Sequence, residues 1–219
     1  MTDLFLIDID GALVESKALE LECYFRAVEE VLGITVDIDR SQFKHSTDAG
    51  VLDELLTRYQ TAGNRMLNHR KVEQRYLALM NEALAITPEK VKVAPGVHDF
   101  LANIAPSEDC YLAIATSGWE SAARVKLRAV GLDISTFTFA TSSDAMSRTE
   151  IMALAAFRAK QDSGLTFERC IVLGEGAQNR DASKELGYEY IEIGGSDINQ
   201  SHLPNLSHFK QVYSELTVH

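Results

Sequence analysis

Leu4-Phe5-Leu6-Ile7 is an unbroken apolar run that ends in Asp8-Ile9-Asp10-Gly11, and this junction restricts the chain's options more than any other stretch. Such a run closed by a glycine turn predicts a strand buried on both faces, as in the middle of a parallel sheet. With a side-chain period of two, Asp8 and Asp10 are expected to leave the strand end on the same side. Two carboxylates so placed repel, so the pair requires a cation, or one carboxyl must be protonated. Gly11 lets the chain turn away without a side chain crowding whatever binds there.

After Leu13 the apolar spacing becomes helical, through Leu19, Cys23, Phe25 and Val28 to a stop at Gly33. Helical signals persist to about residue 90. Ser46-Thr47-Asp48 predicts an N-cap ahead of Val51, Leu52, Leu55 and Leu56, and residues 64–85 carry Met66, Val72, Tyr76, Leu79, Met80 and Leu84. Met66, Met80 and Met152 read as core residues. From Pro95-Gly96 onward strands (111–115, 137–140, 170–173, 190–193) alternate with helices (121–130, 148–161), and 209–216 reads as a weaker helix. The expected fold is α/β. It has a Rossmann-like three-layer core with a parallel sheet (residues 1–14 and 92–219) and an all-helical insert (15–91).

In open parallel sheets ligands bind beyond the carboxyl ends of the strands. Three expected strands end there in polar, glycine-containing loops: Asp8-Ile9-Asp10-Gly11, Thr116-Ser117-Gly118 and Gly174-Glu175-Gly176. Oxygen ligands of this kind suit Mg²⁺, which binds through one or two carboxylates and keeps waters. Thr116 and the N–H groups of Ser117 and Gly118 are placed to cradle an anion. A carboxylate can then attack phosphorus while a second acid protonates the leaving oxygen.

The net charge of −11 argues against nucleic acid or an anionic membrane as partner, since either would be repelled. Three cysteines, odd in number and set among apolar neighbours, argue against a disulfide framework and for a reducing, cytoplasmic setting. No apolar run is long enough to span a membrane. Oligomeric state is not legible.

Asp8-Ile9-Asp10-Gly11-Ala12-Leu13-Val14 resembles the first motif, D-x-D-G-T-L, of the haloacid dehalogenase-like (HAD) hydrolases. Thr116 is similar to their second motif, and Gly174-Glu175-Gly176-Ala177-Gln178-Asn179 to the fourth, G-D-x-x-x-D. Ser46-Thr47-Asp48, Pro95-Gly96-Val97 and the Ser147-Arg148 segment extend the likeness over nearly the whole chain, toward the phosphoglycolate phosphatase and β-phosphoglucomutase branch with a helical cap.

The resemblance implies that Asp8 is the nucleophile and a ligand of Mg²⁺, and that Asp10 is the general acid and base with its main-chain carbonyl on the metal. It further implies that Thr116 holds the transferring phosphoryl group and that Glu175 completes the metal's protein ligands. Arg148 stands closest to the lysine of the third motif, with Lys126 as the other candidate. An acid at Asp10 favours phosphate chemistry over dehalogenation. His45, Thr47 and Asp48 fall where such caps often face the substrate, and Gly11, Ser117 and Gly118 would line it. The implied activity is hydrolysis of a small phosphorylated metabolite through an aspartyl phosphate. A phosphomutase and a weakened binding or regulatory protein are the alternatives.

Three departures stand out. Ala12 replaces threonine, Glu175 replaces aspartate and Asn179 replaces the second acid of the fourth motif. The extra methylene of Glu175 moves its carboxylate outward by about 1.5 Å. Asp181 cannot substitute for Asn179 once a helix has begun, because two residues turn about 200° around the axis.

Overall fold

The computed structural model describes residues 2–36, 39–104, 109–133, 135–199 and 201–216. In chain order, β1 (Thr2–Ile7) leads through a turn to β2 (Val14–Glu15), followed by α1 (Lys17–Leu32), α2 (Asp48–Arg58) and α3 (Arg65–Ile86). The chain returns as β3 (Lys92–Val93) and α4 (Val97–Ile104). It then alternates through β4 (Cys110–Ala115), α5 (Glu120–Ala129), β5 (Thr138–Ala140), α6 (Arg148–Ser163) and β6 (Phe167–Gly174). The last elements are α7 (Ala177–Leu186), β7 (Glu189–Ile193), β8 (His202–Leu203) and α8 (Phe209–Leu216).

Six strands form one sheet in the order β5-β4-β1-β6-β7-β8, and every pairing within it is parallel. β1 sits centrally, as its apolar run predicted. Leu4 and Leu6 pack with Ala113, Val172, Ile151 and Met152 on the face covered by α6, while Phe5 and Ile7 join Ile114, Leu127 and Phe209 on the other. Each fully buried side chain of this size contributes roughly 2 kcal/mol, so the α/β/α layering follows from the run having two apolar faces.

Local signals set the helix starts. Thr47 Oγ1 accepts the Gly50 N–H (3.1 Å) and Asn64 Oδ1 accepts that of Leu67 (3.0 Å), capping α2 and α3. Ser147 and Glu150 form a reciprocal capping box that starts α6 at Arg148. That box matters for function because it holds Arg148 at the sheet's carboxyl edge.

Three features depart from the sequence expectation. β2 and β3 pair antiparallel, so the helical stretch leaves and re-enters the core on adjacent strands; two-residue strands carry no periodic signal. β6 begins at Phe167, earlier than the apolar run, because Phe167 pairs with Thr2 of β1, and Arg169 adds an ion pair to Asp3 at 2.6 Å. Met66 is 77% exposed rather than core. It lies six residues before Val72, about 120° off the buried stripe of α3, whereas Met80 and Met152 are buried as expected.

The helical stretch shares its core with the sheet. Tyr24 on α1, Tyr76 on α3 and Trp119 before α5 bring their ring centroids within 5.6–5.8 Å of one another.

Candidate active site

A cleft of about 430 Å³ opens where the carboxyl ends of β1, β4 and β6 meet the helical insert. Asp8, Asp10, Ser117, Arg148, Glu175 and Asn179 line it from the sheet side, and Glu20 and Arg40 from the insert. The three polar loops singled out in the sequence thus reach one place.

Asp8 is buried just past the end of β1, with Oδ1 accepting the Ile9 N–H at 2.8 Å. Arg148 Nη2 lies 3.0 Å from Asp8 Oδ2, and Asn179 Nδ2 donates to the same oxygen at 3.1 Å. Arg148 Nε donates to Asn179 Oδ1. Its Nη1 and Nη2 are buried without an aligned hydrogen-bond acceptor, so the guanidinium retains donors beside the Asp8 carboxylate. Burial lowers its pKa and Asp8 opposes that fall.

Asp10 has a different set of partners. Ser16 Oγ donates to its Oδ1 and Lys126 Nζ to its Oδ2. Lys126 is completely buried and also donates to Glu20 Oε2 at 3.0 Å. Beyond it, Arg40 bridges Glu20 (3.3 Å) and Asp48 (2.9 Å) while lying over the Tyr24 ring. Removal from water raises the Asp10 pKa to about 7; Glu20 adds to the rise and Lys126 opposes it. Burial would raise Glu20 as well, but Lys126 and Arg40 outweigh it and hold that carboxyl at about 2.

Asp8 and Asp10 both line the cleft, but strand period does not set their directions. β1 ends at Ile7, and the N–H groups of Ala12, Leu13 and Val14 converge on the Ile9 carbonyl, folding the chain before Asp10. Asp8 therefore faces Arg148 and Asn179 on α6 and α7, while Asp10 faces Lys126 on α5 and Glu20 on α1. Of the two candidate cations, Arg148 lies against Asp8 and Lys126 against Asp10.

The remaining sequence candidates divide. Ser117 lines the cleft; Thr116 and Gly118 lie behind it, with Gly118 N 3.4 Å from Thr116 Oγ1. Thr47 and Asp48 are fully buried and do not line the cleft. Instead Thr47 Oγ1 donates to the Met146 carbonyl (2.6 Å), Asp48 N donates to the Ser117 carbonyl (2.9 Å), and Asp48 Oδ2 accepts the Trp119 N–H (2.9 Å). These groups fasten the insert to the core. His45 opens onto a neighbouring cavity that shares Arg148 and Gln178 with the cleft, as does Asp181, exposed on α7 four residues past its start. Sequence reasoning missed Lys17, Glu20 and Arg40, which carry no motif.

Asp8 and Glu175 bring carboxylate oxygens to the cleft, the hard donor type that suits a divalent cation, while the described residues bring no group of three acidic, histidine or cysteine side chains to one point. Mg²⁺ needs few protein oxygens and keeps its waters. The longer Glu175 side chain finds room against Gly11, whose φ is +82°; a Cβ there would stand 2.7 Å from Glu175 Oε2. Gly174 does the same for Asn179, whose Nδ2 lies 2.6 Å from where its Cβ would be. Lys17 Nζ lies 2.5 Å from Glu175 Oε1 in an exposed pair, weak enough to yield to a competing ion.

A family model described as haloacid dehalogenase-like hydrolase matches residues 5–193. Among solved structures, a hydrolase from Pseudomonas syringae superposes with a TM-score of 0.73 at 18% identity, covering 99% of each chain. A β-phosphoglucomutase from Clostridium difficile gives 0.71 at 16% identity, with 100% of each chain covered. CbbY from Rhodobacter sphaeroides, solved with phosphate, gives 0.68 at 19% identity, covering 95% of this chain and 96% of that one. At these identities the likeness concerns the fold. No curated protein matches the sequence.

Proposed function

Since the chain belongs to the haloacid dehalogenase-like hydrolase family, we propose that it is a Mg²⁺-dependent phosphatase acting on a small phosphomonoester through an aspartyl phosphate. The observation that carries this reading is the Asp8–Arg148 pair. A buried carboxylate stands 3.0 Å from a guanidinium whose Nη donors lack acceptors, in a cleft open to a small molecule. A phosphoryl group at that point would supply the missing acceptors.

In the proposed reaction an Asp8 carboxylate oxygen attacks phosphorus, and the bond from phosphorus to the alcohol oxygen breaks. Arg148 binds the phosphoryl oxygens and offsets their charge as they move toward Asp8. Asp10 donates its proton to the departing alcohol, then takes one from the water that attacks the aspartyl phosphate, returning Asp8 as a carboxylate and releasing phosphate. Asp8, the Asp10 carbonyl and Glu175 would hold Mg²⁺, which supplies charge neutralisation at the phosphoryl oxygens. Residues 15–91 serve as the cap on a core of 1–14 and 92–219, shielding the site from water. Ser117 contributes to holding the anion from the β4 loop. The cellular setting we assign is the cytoplasm, with a phosphorylated metabolite as partner.

Phosphate release from an aryl phosphate, measured with and without Mg²⁺, tests the reading. Metal-dependent turnover that disappears in Asp8→Asn supports it. Absence of release across a broad panel of phosphomonoesters, together with no Mg²⁺ binding by calorimetry, overturns it.

A further inference from the structure

Three consecutive residues of the helical stretch grip three different parts of the core. Ser46 N donates to Gln178 Oε1 at 3.1 Å in the first turn of α7, Thr47 Oγ1 to the Met146 carbonyl ahead of α6, and Asp48 N to the Ser117 carbonyl after β4. The last of these loops answers in turn, with the Trp119 N–H donating to Asp48 Oδ2. On another pair of elements, Ser121 Oγ of α5 donates to Glu73 Oε1 of α3 at 2.5 Å. A segment tied to its neighbour only where the chain enters and leaves it can swing about that hinge. Here an outward swing would have to break the grips on α7, on the loop before α6 and on the loop after β4 together.

Apolar packing crosses the same seam. Tyr24, Tyr76 and Leu79 of the helical stretch and Ile114, Trp119 and Leu127 of the core belong to one buried cluster. The Trp119 ring packs against both tyrosines, so moving the stretch outward would bring all three rings to water. Parts of one chain move against each other where their interface is small and polar, and stay together where they share a hydrophobic core. The cleft also has a mouth that needs no such motion. Lys17, Asp39, Ser41 and Gly176 line it and are exposed, and the buried Asp8 lines the same space. We propose that the helical stretch is a fixed wall of the site rather than a lid, and that ligands reach Asp8 through this mouth with the seam intact. The inference concerns access to the site and does not depend on the phosphatase reading.

Native-state hydrogen exchange on the whole chain tests it. The Asp48 and Trp119 amides donate across the seam, so a fixed wall releases them only when the molecule unfolds globally. Their protection should then lie within about tenfold of that of the slowest amides in β1 and β4, and a larger deficit, which means the seam opens while the sheet stays folded, overturns the inference. Trp119 is the single tryptophan of the chain and gives a second route. Acrylamide quenching of its fluorescence, followed through a urea titration without ligand, should rise only together with the loss of far-ultraviolet circular dichroism. A rise that precedes that loss overturns the inference. Neither measurement uses turnover, so each outcome stands whatever phosphate release shows.

Discussion

Lys126 Nζ lies 3.0 Å from Glu20 Oε2, joining α5 of the core to α1 of the insert between residues 106 positions apart. The same ammonium holds Asp10, so the acid proposed for proton transfer and the packing of the insert depend on one buried charge. Isolated buried ions are costly, and this one is tolerated because two carboxylates surround it.

Removing that charge should be severe. Lys126→Met leaves Asp10 without a cation and Glu20 with Arg40 alone, and is expected to cost about 3–5 kcal/mol in urea unfolding, the usual penalty for breaking a buried pair. Adding Glu20→Gln should recover part of the loss; a double variant no more stable than the single would show that the two residues are not coupled.

The Glu20 carboxyl gives a pH signature. Its folded pKa is held at about 2, below the ordinary 4.5, once Lys126 and Arg40 have overcome burial. A depressed carboxyl stabilises the fold above its unfolded pKa, and that contribution drains away as pH falls from about 4.5 toward 2. Unfolding free energies measured from pH 6 to pH 2 should decline in that window, with a shallower decline in Glu20→Gln. Parallel curves for the two proteins would contradict the assignment.

Arg148 should matter to turnover more than to folding. Arg148→Ala is expected to lower kcat by about 10²–10³, the range for losing one preorganised donor at a developing charge. Arg148→Lys should recover part of it, because a point charge replaces the forked guanidinium. Equal kcat in the wild type and Arg148→Ala, measured by phosphate release, would remove the residue from the mechanism.

Asn179 sits where an acid stands in the fourth motif, and its amide donates 3.1 Å from Asp8 Oδ2. Asn179→Asp turns that hydrogen bond into a repulsion between carboxylates. Without metal its Tm should fall, and added Mg²⁺ should raise Tm further than in the wild type, since an ion bound to the folded state offsets the repulsion. The same Mg²⁺ response in both proteins would place the metal elsewhere.

Much of this molecule was legible in one dimension. The run from Leu4 to Ile7 has apolar side chains at both parities, so a central strand covered on two faces follows from side-chain period alone. The capping signal at Ser46-Thr47-Asp48 acts within three residues, which is why it located the start of α2. Loops at the carboxyl ends of parallel strands must share one edge, so Asp8, Ser117 and Glu175 were bound to meet.

Contacts between distant segments decided the rest. Nothing local to Glu20 or Arg40 distinguishes them from surface charges, and Thr47 and Asp48 read as an N-cap or as contacts with substrate, with no local mark of their role as fasteners to the core. The turn at Ile9 sent Asp8 toward Arg148 and Asp10 toward Lys126, a division that strand periodicity could not supply because the strand had already ended. The sequence by itself determined the layered fold and which loops form the site, since both follow from short-range periodicity and chain direction. The tertiary structure alone decided which cation each aspartate receives, because ion pairing inside a protein depends on which distant groups are taken out of water together.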